Sequence, residues 1–165
     1  MIGPAIVANT GPLLALSILD RLDILKGLFS RIIVPREVEQ EIARGGVAAR
    51  GIESFKKNLT GFEIMELHGH PDPLLVTVLD RGEGAVIQCA LENNIGMVVI
   101  DERKARNVAT SVYGLKVIGT ARILVEAKRK GFVPKIEPLI TQLLNGGYWI
   151  HKDIVDRMLH EAGEG

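Results

Sequence analysis

Short runs of Val, Ile and Ala alternate along the chain with longer stretches in which apolar residues recur every three or four positions. The runs at residues 5–8, 31–34, 62–67, 97–100 and 116–118 read as β-strands, mostly bounded by Gly, Pro or charge. The run 97–100 is apolar throughout, as expected for a strand covered on both faces. Between the runs lie helical patterns. The first follows Thr10-Gly11-Pro12, with Thr10 or Gly11 as cap and Pro12 in the first turn, and is filled through Leu19. Others are predicted over residues 22–29, 36–44 (ended by Gly45-Gly46), 48–58, 82–93, 103–110, 120–130, 138–144 and 152–161. Strands alternating with helices predict an α/β fold with a mainly parallel sheet. Residues 71–73, with two prolines, read as a loop. No internal repeat or linker interrupts the pattern, so a single domain is expected over residues 1–165.

Composition narrows the class. Hydrophobic residues make up 47% and charged residues 24%, enough to bury a sizeable core. Twenty basic and twenty acidic residues cancel, so the chain has no global nucleic-acid footprint. Basic residues do cluster locally, at Lys56-Lys57, at Arg103-Lys104 with Arg106, and at Lys128-Arg129-Lys130, the last read as a solvated helix face. No apolar run approaches the ~20 residues that span a bilayer, and the N-terminus lacks a basic region followed by an apolar one. Cys89 is the only cysteine; it excludes an internal disulfide and reads as a core residue. A cytoplasmic protein without membrane contact is expected.

In open parallel sheets, ligands bind beyond the C-terminal ends of the strands. Asn9 and Asp101 stand directly at such ends. Thr120 follows the strand 116–118, and Glu83 lies in the first turn of a helix. On the helix 36–44, Val38 and Ile42 mark the buried face; Glu41 borders it and Gln40 points away. Each acid also has a structural reading: Glu83 can favour a helix dipole and Asp101 can cap a helix. His68-Gly69-His70 offers two ligands for a transition metal but no third at suitable spacing, and reads as a polar loop; Tyr148-Trp149 could stack a base but reads rather as a packing or subunit-contact pair. The absence of a Gly-rich phosphate loop disfavours an NTPase or dinucleotide enzyme. A phosphorylated receiver-like domain would carry an acidic pair after the first strand, which is missing here.

The chain resembles a PIN-domain protein. The resemblance rests on Ile6-Val7-Ala8-Asn9-Thr10-Gly11-Pro12-Leu13, on Val34-Pro35 through Glu41-Ile42, and on Leu79-Asp80-Arg81-Gly82-Glu83. It continues with Val99-Ile100-Asp101-Glu102-Arg103 through Ala105-Arg106, then Gly119-Thr120. The blocks keep family order; they are similar to the toxin-type ribonucleases of bacterial and archaeal toxin–antitoxin pairs, and most to a branch described as predicted nucleic-acid-binding proteins. The resemblance implies a three-layer α/β/α fold and an endoribonuclease that uses Mg²⁺ or Mn²⁺. Asn9, Glu41, Glu83 and Asp101 fall on the metal-ligand positions, and Glu41, Glu83 and Asp101 are the implied catalytic acids. Arg106 matches a basic residue of the branch; it would contact the RNA backbone with Arg103 or Lys104. Thr10 and Thr120 complete the implied binding set. RNA, a small antitoxin and a second copy of the chain are the implied partners.

Asn9 departs from the family pattern, because its position is normally acidic. A carboxylate ~4 Å from a divalent ion gains at most on the order of 8 kcal/mol at an effective dielectric of ~20, and an amide forgoes that. Set against this, Mg²⁺ sites often need only one or two carboxylates plus substrate phosphates, and losing a charge relieves repulsion among clustered acids. Two expectations follow: a metal-dependent ribonuclease, or a catalytically weakened PIN-like protein that binds RNA or a protein partner.

Overall fold

The computed structural model describes residues 3–45 and 49–165. The five apolar runs become β1 (Ile6–Ala8), β2 (Ile32–Pro35), β3 (Glu63–Met65), β4 (Met97–Val99) and β5 (Lys116–Ile118). They form one sheet in the order β3-β2-β1-β4-β5, and every pairing is parallel. The expected mainly parallel sheet is thus wholly parallel among the described residues. Successive side chains on a strand face opposite sides, yet Ile6, Val7 and Ala8 are all fully buried, as are Val98 and Val99. Helices therefore cover both faces, which makes a three-layer α/β/α fold. The run 62–67 pairs only over β3, at the sheet edge, where exposed Glu63 meets Arg31 at 2.8 Å.

Among the described residues seven α-helices connect the strands, α1 (Thr10–Ile18), α2 (Asp23–Leu28), α3 (Arg36–Arg44), α4 (Ala49–Asn58), α5 (Pro73–Val78), α6 (Arg81–Glu92) and α7 (Arg103–Ser111), and three follow β5, α8 (Thr120–Arg129), α9 (Glu137–Asn145) and α10 (Lys152–Glu161). Gly45 stops α3 in the left-handed region, at φ 63°. Gly46 and Ala48, expected at the end of α3 and the start of α4, lie outside the described residues. No described helix is long and apolar enough to cross a membrane.

Three local readings need correction. The loop read at residues 71–73 holds for Pro71 and Asp72 but leads straight into an unforeseen helix, α5: the Asp72 side chain accepts the Leu74 N–H at 2.9 Å, and Pro73 occupies the first helical position. The β-branched run Val76-Thr77-Val78 concealed this helix, which forms by packing on α6. Neither Thr10 nor Gly11 caps α1; Asn9 holds the cap position. Lys128 is not a solvated surface residue. Its ammonium donates to the Ala162 carbonyl at 2.6 Å and to Glu164 at 2.9 Å. Glu164 in turn accepts the Ile136 and Glu137 N–H groups at 2.8 and 3.0 Å, so the C-terminal tail caps α9 from afar.

Helix α6 lies across β1, β2 and β4, burying Val86, Ile87, Cys89 and Ala90 on the sheet. The chain winds outward from β1 to β2 and β3, then returns across β1 to β4 and winds outward to β5. Winding reverses between β1 and β4, which opens a crevice beyond their C-terminal ends. The register pairs Ala8 with Val99, so Asn9 and Asp101 leave the sheet on either side of that crevice.

Candidate active site

Asn9 takes the N-cap position of α1 in extended conformation, φ −91° and ψ 168°. A cap asparagine ordinarily accepts a first-turn N–H. Asn9 makes no such bond, and its backbone N–H donates to Val99 O at 3.0 Å. Asn9 is 7% exposed, and its Oδ1 is buried with no hydrogen-bond partner. A buried acceptor in that state costs about 1–3 kcal/mol, and such orphans mark places where a ligand, ion or water completes the site.

Glu41 reaches the same spot from α3. Its Oε2 accepts the Thr10 hydroxyl. Gly82, at the start of α6, leaves room for it: a Cβ there would stand 2.8 Å from Glu41 Oε2 and 3.7 Å from Asn9 Oδ1. Glu83, one residue on, is buried. It closes a capping box, in which Glu83 N–H donates to Asp80 Oδ1 at 2.8 Å and Asp80 N–H donates to Glu83 Oε1 at 3.2 Å. Burial pushes the Glu83 carboxyl above the usual carboxylate range. The Asp80 N–H opposes this, while the charges of Asp80, Glu102 and Glu41 add to it.

Asp101 does not cap its own helix. Glu102 does, accepting the Lys104 and Ala105 N–H groups at 3.0 and 2.7 Å. Asp101 is thereby left to turn toward β5, where Oδ1 accepts the Thr120 N–H at 2.7 Å and Oδ2 the Thr120 hydroxyl at 2.6 Å. A third donor, the Tyr148 hydroxyl, also bonds Oδ2. Burial, then the charge and hydrogen bond of Asp101, push the Tyr148 phenol well above its usual range, so it stays a donor. Arg106 donates to Ile100 O at 2.8 Å, which holds its guanidinium over Gly119.

Asn9, Thr10, Glu41, Glu83 and Asp101 thus line one cleft of ≈ 360 Å³, together with Gly11, Asp80, Glu102 and Tyr148. Arg103, Arg106 and Thr120 line an adjoining groove that also reaches Asp101. Lys104 is exposed and lines neither. His68 and His70 are exposed, and among the described residues no three His, Cys, Asp or Glu side chains converge closely enough to hold a metal ion. In kind, the donors still fit a hard divalent cation: they are oxygens only, one is a vacant buried amide oxygen, and one is a carboxyl burdened by like charges.

Tyr148 is the site residue the sequence did not disclose. A Schellman turn ends α9, with Gly147 at φ 88° and Tyr148 N–H donating to Leu143 O at 2.9 Å. The pair Gly146-Gly147 signals that turn, but which way Tyr148 then points depends on packing against Asp101. Of the roles read for Trp149, packing within its own chain falls away, because at 78% exposure it packs on little of that chain; a subunit contact or a stacked base remains.

No curated protein matches the chain. A family model described as a PIN domain matches residues 5–164. With that match over nearly its whole length, and with a wholly parallel sheet carrying acids at its C-terminal edge, the protein belongs to the PIN-domain family.

Proposed function

We propose that this protein is a Mg²⁺- or Mn²⁺-dependent endoribonuclease whose active site is the cleft at the C-terminal ends of β1 and β4. Membership of the PIN family makes the fold, in general terms, a nuclease fold. The observation that carries the finer reading is the buried, unpartnered Oδ1 of Asn9 among Glu41, Glu83 and Asp101. Since their carboxylates stand too far apart in this structure to form a closed set of ligands, Asn9, Glu41, Glu83 and Asp101 would share the ion with water and RNA phosphate oxygens, which supply the rest of its shell. Such an ion would polarise the phosphate and lower the pKa of a bound water enough to supply a nucleophile near neutral pH. Thr10 orients Glu41, while Thr120 and Tyr148 orient Asp101. Arg106, preset by Ile100 O, and Arg103 meet the RNA backbone. A cytoplasmic toxin role, a small antitoxin and a homodimer belong to the same proposal and rest on the family resemblance alone.

A second reading is a non-cleaving PIN-domain protein that binds RNA or a protein. It is favoured by the three donors that already occupy Asp101. One comparison separates the two: Mn²⁺ binding by calorimetry and cleavage of mixed RNA, for the chain, Asn9→Asp and Asp101→Asn. The nuclease reading expects the chain to cut, Asp101→Asn to stop cutting, and Asn9→Asp to bind Mn²⁺ at least about tenfold more tightly, ~1.4 kcal/mol. If only Asn9→Asp binds metal and cuts, the present chain is a binder with a disabled centre. If neither form cuts RNA, the substrate class is wrong.

A further inference from the structure

A groove of ≈ 870 Å³ opens beside the acid cleft and shares Asp101 and Tyr148 with it. It is bounded by β5, α8, α10 and the segment joining α9 to α10. Four guanidinium groups line it, from Arg103, Arg106, Arg122 and Arg157. Its carboxylates are already engaged: Glu161 pairs with Arg122 at 3.1 Å, and Asp101 is held by Thr120 and Tyr148. Arg103 and Arg157 are exposed and make no ion pair among the described residues. In a chain of zero net charge, this is a local excess of unused positive charge. Trp149, next in sequence to the Tyr148 that bonds Asp101, lines the same groove and is 78% exposed.

We propose that a single-stranded nucleic acid lies in this groove, with one unpaired base stacked on Trp149 and neighbouring phosphates at Arg103 and Arg157. Trp149 and Arg157 are then substrate-positioning residues that feed the strand to Asp101. The proposal rests on the nuclease reading above and adds to it a path and a requirement for an unpaired base. The combination of groups selects this occupant. An exposed indole offers a face to any base, and guanidinium groups beside it meet the backbone. A duplex keeps its bases stacked internally and leaves no face for the indole. A protein helix would need an unbroken apolar seam, whereas here exposed Ile154 and half-buried Val117, Ile118 and Ile150 share the groove with four guanidinium groups.

Trp149 is the only tryptophan, so its fluorescence reports on the groove alone. The protein is titrated, in EDTA to prevent cleavage, with a uridine octaribonucleotide, an abasic octamer of equal charge, and a glutamate decapeptide. Affinities of the variants are read from the anisotropy of labelled octamer. The octamer is expected to quench Trp149 saturably and the abasic chain to bind more weakly. Trp149→Ala should lose roughly ten- to a hundredfold in affinity with an unchanged melting temperature, and Trp149→Phe should recover most of it. Arg157→Ala should lower the slope of log affinity against log salt by about one. Octamer binding that leaves Trp149 emission unchanged, or equal affinity in Trp149→Ala, overturns this path. The nuclease reading survives that result if Asp101→Asn still abolishes cleavage. Equal quenching by the decapeptide overturns it in favour of an acidic protein segment. If the protein neither binds nor cuts RNA, the nuclease reading falls and takes this path with it.

Discussion

At the scale of single residues, the cleft is a balance between charge and burial. Glu83 shows it most clearly, because burial holds its carboxyl above the usual range. A carboxyl with a raised folded pKa binds its proton more tightly in the folded protein. It costs no stability in acid, where both states are protonated. The cost develops as pH rises through the unfolded pKa and is complete above the folded one. Glutamine at position 83 can still accept the Asp80 N–H. Glu83→Gln is therefore expected to raise the melting temperature near neutral pH and to leave it unchanged at about pH 3; a fall at neutral pH would mean that the carboxylate is held by a favourable partner. Cys89 gives a second expectation. It is fully buried, and burial first, then the charge of Glu92, push its thiol up to about 11. A disulfide reagent at neutral pH should leave the native protein unlabelled and react only after denaturant is added; rapid native labelling would show that the α6 core opens. Asn9, Glu83 and Asp101 were legible as candidates for a shared cleft because each follows a strand or opens a helix, where local pattern and chemistry coincide. Tyr148 was not, since it meets Asp101 across 47 residues of sequence.

At the scale of elements, caps and turns decide where the acids point. Two adjacent residues, Asp101 and Glu102, divide the work: Glu102 caps α7, and Asp101 binds the N-terminus of α8. Sequence alone could not say which of the two would cap, because either carboxylate can accept a first-turn N–H. In the β5–α8 turn a Cβ on Gly119 would stand 2.6 Å from Asp101 Oδ1 and 2.8 Å from Arg106 Nη1, so any side chain there must push both groups aside. Gly119→Ala should displace both side chains and lower stability by about 1–3 kcal/mol; under the proposed nuclease function it should also reduce cleavage as severely as Asp101→Asn. Wild-type stability and activity in that variant, measured by denaturant melts and RNA cleavage, would show that the turn yields without moving Asp101. Most helices were legible because their apolar period and their Gly or Asn stops agree. Helix α5 was missed because its six residues are too few to show a period and three of them are β-branched.

At the scale of the whole molecule, the strand order β3-β2-β1-β4-β5 makes β1 the centre and β3 and β5 the edges. Strand β1 is fully buried and paired on both sides, whereas β3 and β5 carry exposed or half-buried residues and one neighbour each. Hydrogen exchange should accordingly be slowest in β1 and β4 and fastest in β3; faster exchange in β1 than in β3 would contradict this order of stability. The same order puts the reversal of winding between β1 and β4, and so fixes which strand ends face each other. The sequence by itself determined the α/β class, the parallel sense of the sheet and the location of the acids at strand and helix ends. These depend on local period, on capping chemistry and on apolar runs that need cover on both faces. Tertiary structure alone decided that Asn9 keeps an unpartnered oxygen, that Tyr148 closes on Asp101, and that Trp149 and Arg157 share a groove with them. Those facts depend on strand order and on the docking of α9 and α10, which bring distant residues within hydrogen-bonding reach and leave no periodic trace along the chain.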